Sequence, residues 1–127
     1  MSNSVRMAMI GCGGMARHHI RSILENSAST EIVALCEPSH SALTKTVELF
    51  EELGGSVPEN RTDVSELIDA VQPDAVFIAT PHSVHFAQAK MCLEAGVDVF
   101  IEKPMVMTAA EARALIATRD SSDRLLV

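Results

Sequence analysis

The stretch MAMIGCGGMARHH, residues 7–19, decides the reading of this chain. An apolar run ending at Ile10 stops on Gly11, and a helix-compatible segment starts a few residues later. Gly11, Cys12, Gly13, Gly14, Met15 and Ala16 take the form G-x-G-x-x-A in a strand–turn–helix setting. In such a turn Gly11 permits the tight bend, Gly13 lets the main chain approach a pyrophosphate, and Ala16 keeps the helix close to the sheet. The N–H groups at the helix start, around Gly14 and Met15, then face the phosphates. Glycine-rich turns are common, so the pattern draws its weight from its surroundings.

Outward from this turn, short apolar runs rich in Val, Ile and Phe alternate with helix-compatible segments. The runs predict strands over 5–10, 31–36, 75–79 and 97–101, with another beginning at 124–127. Helices are expected over roughly 15–26, 41–53, 64–70, 83–95 and 109–118. Ser39 and Thr108 stand at N-cap positions, with Glu111 at capping-box spacing from Thr108, and Gly54, Gly55 and Gly96 stand at helix ends. A further weak strand is expected at 56–58, confined to an edge by Pro58. This alternation predicts an α/β fold: a doubly wound parallel sheet between two helical layers, the Rossmann dinucleotide-binding arrangement. The chain stops on an apolar run, so a piece of a longer protein is expected.

Composition narrows the function classes. The 127 residues are 47% hydrophobic and 21% charged, enough for one domain with a real core. A formal charge of −7 with scattered basic residues argues against nucleic acid as a partner. No apolar run approaches the ~20 residues needed to span a bilayer, and the N-terminus lacks the form of a signal peptide. Cys12, Cys36 and Cys92 are odd in number and form no CxxC pair. Reduced thiols in a cytoplasmic protein, with no disulfide frame and no zinc site, are the expectation.

The remaining candidate residues lie at strand ends. Glu37 closes the second run, about 20 residues past the glycine turn, where a carboxylate accepts hydrogen bonds from the adenosine ribose and repels a 2′-phosphate. Pro38, Ser39 and His40 follow with no Arg or Lys, which favours NAD over NADP. Thr80 and Pro81 end the third clear run, with His82 and His85 after them. Those histidines stand near a cofactor or substrate, or else cap the helix start. Metal binding has no third ligand nearby. His18 and His19 lie inside the first helix and read mostly as structural. Glu102-Lys103-Pro104 closes the fourth clear run, and Lys103 is one of only three lysines. Beside a nicotinamide, such a lysine hydrogen-bonds a substrate hydroxyl and stabilises the oxyanion that develops during hydride transfer. Position at a strand end does not by itself distinguish this from a solvated lysine.

GCGGMA, the acidic end of the second run, ATPHSVH and EKP, in this order and spacing, resemble the Gfo/Idh/MocA oxidoreductases. The resemblance runs from about Val5 to Val127, and EKP after AGVDVFI is its most specific mark. It implies NAD(P)-dependent oxidation or reduction of a sugar, inositol or related polyol. It also implies an active-site role for Lys103 against the substrate or nicotinamide ribose, a role for Glu102 at the nicotinamide end, and a cis Lys103–Pro104 bond. Residues 1–127 would then be the dinucleotide-binding domain, ahead of an α+β domain for substrate and homo-oligomer contacts. The family usually has Asn where this chain has His82, so one hydrogen bond of that site differs. A non-catalytic dinucleotide-sensing regulator of the same family is the alternative. A methyltransferase usually places a carboxylate just ahead of its glycine loop, where this chain has Ala8, Met9 and Ile10. A short-chain dehydrogenase needs a tyrosine, and the chain has none.

Overall fold

The computed structural model describes residues 4–103 and 106–127. Among these, one parallel sheet contains β1 (Val5–Ile10), β2 (Thr30–Cys36), β3 (Glu59–Asn60), β4 (Ala75–Ile78) and β5 (Asp98–Ile101). The strand order is β3-β2-β1-β4-β5. The chain therefore winds outward from β1 in one direction and then, through β4, in the other. The crevice for a ligand in such a sheet lies at that switch point, beyond the carboxyl ends of the strands.

Alternation along β1 divides the core. Met7 and Met9 face Ile20 of α1 (Gly14–Asn26) and Leu49 and Phe50 of α2 (His40–Glu52). Ala8 and Ile10 face the opposite layer: α3 (Val64–Val71), α4 (His85–Glu94) and α5 (Ala109–Ser122). Side chains with a period of two thus feed two cores, and the three-layer doubly wound reading holds. The β1–β2 register shifts between Met7 and Ala8, so Ile32 and Leu35 share one face while Ala34 and Cys36 share the other.

Several local signals act as their chemistry requires. The Ser39 hydroxyl accepts from Ala42 N at 3.3 Å. The Thr108 hydroxyl accepts from Glu111 N at 3.0 Å, while Glu111 Oε1 accepts from Met107 N at 3.0 Å. Arg6, the one charge in β1, donates to the carbonyls of Gln72 and Val71 at 2.8 and 3.0 Å. It thereby satisfies the C-terminus of α3, where the helix dipole favours a cation.

Three boundaries depart from expectation. The edge strand begins at Glu59, after Pro58 rather than before it, because proline has no N–H to offer a ladder. The expected helix over 83–95 is split into a 3₁₀ turn (His82–Val84) and α4. Finally, α5 runs on to Ser122 and stops where Asp123 takes the left-handed conformation (φ 54°), which aspartate tolerates better than most residues. Residues 124–127 contribute a single parallel bridge, Leu126 to Val99, on the outer edge of β5.

Candidate functional site

Gly11 ends β1 at φ +96°. A Cβ placed there would lie 2.6 Å from the Ala79 carbonyl oxygen, so the turn is pressed against the end of β4 and only glycine fits. Gly13 differs: its φ is −74°, and a Cβ there would meet nothing within 4 Å. As the N-cap of α1 it offers no side chain to the first turn, leaving those N–H groups for a ligand.

Glu37 closes over the same turn. Its Oε1 accepts from Cys12 N at 2.8 Å and its Oε2 from Ser39 N at 2.9 Å. Each oxygen keeps a further lone pair for an outside donor. Asn60 holds Glu37 in turn: its Oδ1 accepts from Glu37 N at 3.0 Å, and its Nδ2 donates to Glu37 O at 3.2 Å. One side-chain amide therefore continues the β2–β3 ladder by a step.

These elements bound a cleft of about 690 Å³ lined by Gly11, Gly13, Gly14, Met15, Glu37, Thr80 and Pro81, among others. A smaller hollow of about 160 Å³ lies alongside, lined by Met15, Ala79, Thr80, His82, Glu102 and Lys103. Met15, Ala79 and Thr80 line both, so the two lie side by side as a trough of two hollows along the carboxyl edge of β1, β4 and β5. Met15, which lines both hollows, is 57% exposed. Thr80 is fixed from behind. Its hydroxyl donates to Gln88 Oε1 at 2.6 Å, and its carbonyl accepts from His85 Nε2 at 2.9 Å.

Three of the residues expected at the cofactor lie beneath the surface of the two hollows. His85 is fully buried and supports Thr80 instead of facing the trough. Cys12 and Ala16 are also fully buried and line neither hollow. The carbonyl of Cys12 accepts from Arg17 at 2.8 Å and from the Thr46 hydroxyl at 3.2 Å, so the residue shapes the turn. Burial pushes the Cys12 and Cys92 thiols up to about 12 and the Cys36 thiol to about 11, with Glu37 adding to the rise at Cys12 and Cys36. The Lys103–Pro104 bond lies outside the described residues.

A model of the oxidoreductase family with an NAD-binding Rossmann fold, Gfo/Idh/MocA, matches residues 5–127. The chain belongs to that family. It is 32% identical over 124 residues to inositol 2-dehydrogenase 1 of Saccharopolyspora erythraea, covering 98% of this chain and 36% of that protein. It is 30% identical over 132 residues to the D-xylose 1-dehydrogenase (NADP(+)) of Hypocrea jecorina, covering 98% and 33%. The crystal structure of myo-inositol 2-dehydrogenase from Lactobacillus plantarum superimposes with a TM-score of 0.84 at 27% identity, covering 97% of this chain and 35% of that one. The chain thus spans about a third of the length of the relatives it matches.

Within this Gfo/Idh/MocA domain, Asn60 carries no sequence signal, and His19, which reads from the sequence as mostly structural, reaches the edge of the smaller hollow through Glu102. The ring of His19 packs on Phe77 with centroids 4.5 Å apart, and its Nε2 donates to Glu102 Oε1. Among the described residues, no group of three His, Cys, Asp or Glu side chains could hold a metal ion. No helix among them is long and apolar enough to cross a membrane.

Proposed function

We propose that residues 1–127 are the cofactor-binding domain of an oxidoreductase that moves a hydride to or from a sugar, inositol or related polyol. We further propose NAD rather than NADP as the cofactor. The observation that carries this reading is the trough itself. The glycine turn, the Thr80–Pro81 segment and Glu102–Lys103 come from three separate parts of the chain and line two adjoining hollows.

The residues fit a dinucleotide. Open space over Gly13 and an N-cap without a capping side chain suit a pyrophosphate. Gly14 and Met15 would hold it through backbone N–H groups, and Glu37 would accept from the adenosine ribose hydroxyls. A 2′-phosphate there would meet the Glu37 carboxylate, with no Arg or Lys in the three following residues to compensate. Met15, Thr80 and Pro81 would line the path toward His82, Glu102 and Lys103 at the nicotinamide end. The bound nicotinamide supplies the hydride donor or acceptor. Lys103 would hydrogen-bond the reacting substrate oxygen and stabilise negative charge developing on it. The names of the matched relatives support a sugar or polyol substrate, while a further α+β domain and a homo-oligomer are proposed only as what the family resemblance implies.

Calorimetric titration of NADH against NADPH tests the cofactor assignment. NADH should bind, weakly for this chain alone, and NADPH should bind less well. Tighter binding of NADPH would remove the role given to Glu37, and binding of neither would remove the reading. In the active enzyme, Lys103→Ala should cut turnover at least about a hundredfold with NADH affinity within a few-fold. Unchanged turnover would leave Lys103 with a structural role.

A further inference from the structure

His19 and Glu102 are 83 residues apart in sequence, yet the ring Nε2 of the first donates to the carboxylate of the second. Each partner is held on its own element. The His19 ring sits on α1 against Phe77 of β4. Glu102 continues the β5 ladder through its backbone, donating its N–H to Ile78 O at 3.0 Å. The pair is only partly exposed, 30% for the His19 side chain and 23% for Glu102. Glu102 lines the smaller hollow together with Lys103, the next residue in the chain. The helix that carries His19 is also the one whose first turn faces the larger cleft.

We propose that His19 is a positioning residue for the nicotinamide end of the trough: by holding one oxygen of the Glu102 carboxylate it aims the other at the hydroxyls of the nicotinamide ribose. The inference rests on the functional reading above. A carboxylate at a strand end with no fixed partner would sample several rotamers. The Glu102 oxygen not engaged by His19 keeps its lone pairs for a ribose hydroxyl.

The test compares NADH with ADP, which reports on the adenosine and phosphate half alone, for the unmodified chain and its variants. His19→Ala should weaken NADH about tenfold, the scale of a lost hydrogen bond to a charged group. ADP should stay within about twofold, because the glycine turn is untouched. His19→Gln keeps an N–H donor near the position of Nε2 and should recover most of the loss. Glu102→Ala should reproduce the loss, and the double variant should add little to either single one. Equal losses for NADH and ADP in His19→Ala would mean a general role in holding α1 and would overturn the inference. A Gln variant as weak as the Ala variant, or additive losses in the double variant, would overturn it too. If the unmodified chain binds NADH no better than ADP, the nicotinamide assignment itself fails. An NADH preference that survives His19→Ala removes only the role of His19.

Discussion

Substitution of Gly11 and Gly13 by alanine should separate stability from binding within one turn. At Gly11, φ is +96°, and the new methyl would lie 2.6 Å from Ala79 O, 2.9 Å from Ala79 C and 3.0 Å from Thr80 Cγ2. The backbone conformation alone costs about 1–3 kcal/mol for a residue with a Cβ. The overlap is with main chain, which cannot rotate away, and forced backbone shifts of this kind cost about 1–3 kcal/mol more. The sum, roughly 2–6 kcal/mol, is a large part of the ~5–15 kcal/mol that holds a domain together. At Gly13, φ is −74° and the methyl meets nothing. Alanine is a poorer N-cap than glycine by up to about 1 kcal/mol, while its stiffer unfolded chain returns about 0.4–1 kcal/mol. Gly13→Ala should therefore unfold within about 1 kcal/mol of the parent. Its methyl, however, fills the space through which a pyrophosphate would approach, and NADH affinity should fall at least about tenfold. Urea unfolding followed by far-UV circular dichroism, with calorimetric titration of NADH, measures both quantities. An unchanged urea midpoint for Gly11→Ala would refute the steric argument. Parental NADH affinity for Gly13→Ala would refute the placement of the pyrophosphate.

Asn60→Asp keeps the acceptor for Glu37 N but replaces the donor to Glu37 O with a second carboxylate oxygen. It should lower stability by about 1–3 kcal/mol and narrow the preference for NADH over NADPH; a parental preference would show that Glu37 is held without it. The three thiols, pushed from 9.0 up to about 12, 11 and 12, should not react with Ellman's reagent near neutral pH unless the chain unfolds. The folded state holds these protons more tightly than the unfolded one. The thiols' contribution to stability is therefore fully present below pH ~9 and is lost as pH rises toward ~11–12, a fall that the urea midpoint at high pH should follow.

What could be read from the sequence was whatever a local period or a local backbone demand encodes. The strand–turn–helix around Gly11 is such a case, because a positive φ and a missing Cβ leave a mark in one dimension. Ser39 and Thr108 are others, since each caps a helix three residues ahead. The pairing of His19 with Glu102 leaves no such mark: it depends on where α1 and β5 meet, and a histidine inside an amphipathic helix resembles any half-exposed polar residue. His85 was ambiguous for the opposite reason. Its place after a strand end suited either a ligand contact or a cap at the helix start, and the turn His82–Val84 carries it beneath Thr80, where burial requires a partner for its ring and the Thr80 carbonyl provides one. Asn60 was invisible because a two-residue strand has no period, and a side chain standing in for backbone follows no residue pattern.

The close seat of Gly11 against Ala79 also bears on the order in which the protein comes into being. On a ribosome, β1 and the glycine turn emerge early, and β2 soon offers one flank. The other flank of β1, which includes the Ala79 floor of the turn, is encoded some seventy residues later, and Glu102 later still. A nascent chain released before β4 would carry the entire glycine motif and yet lack the surface that gives it shape. Competence to bind nucleotide should therefore arrive late and abruptly during synthesis, after a wait set by the non-local pairing of a parallel sheet.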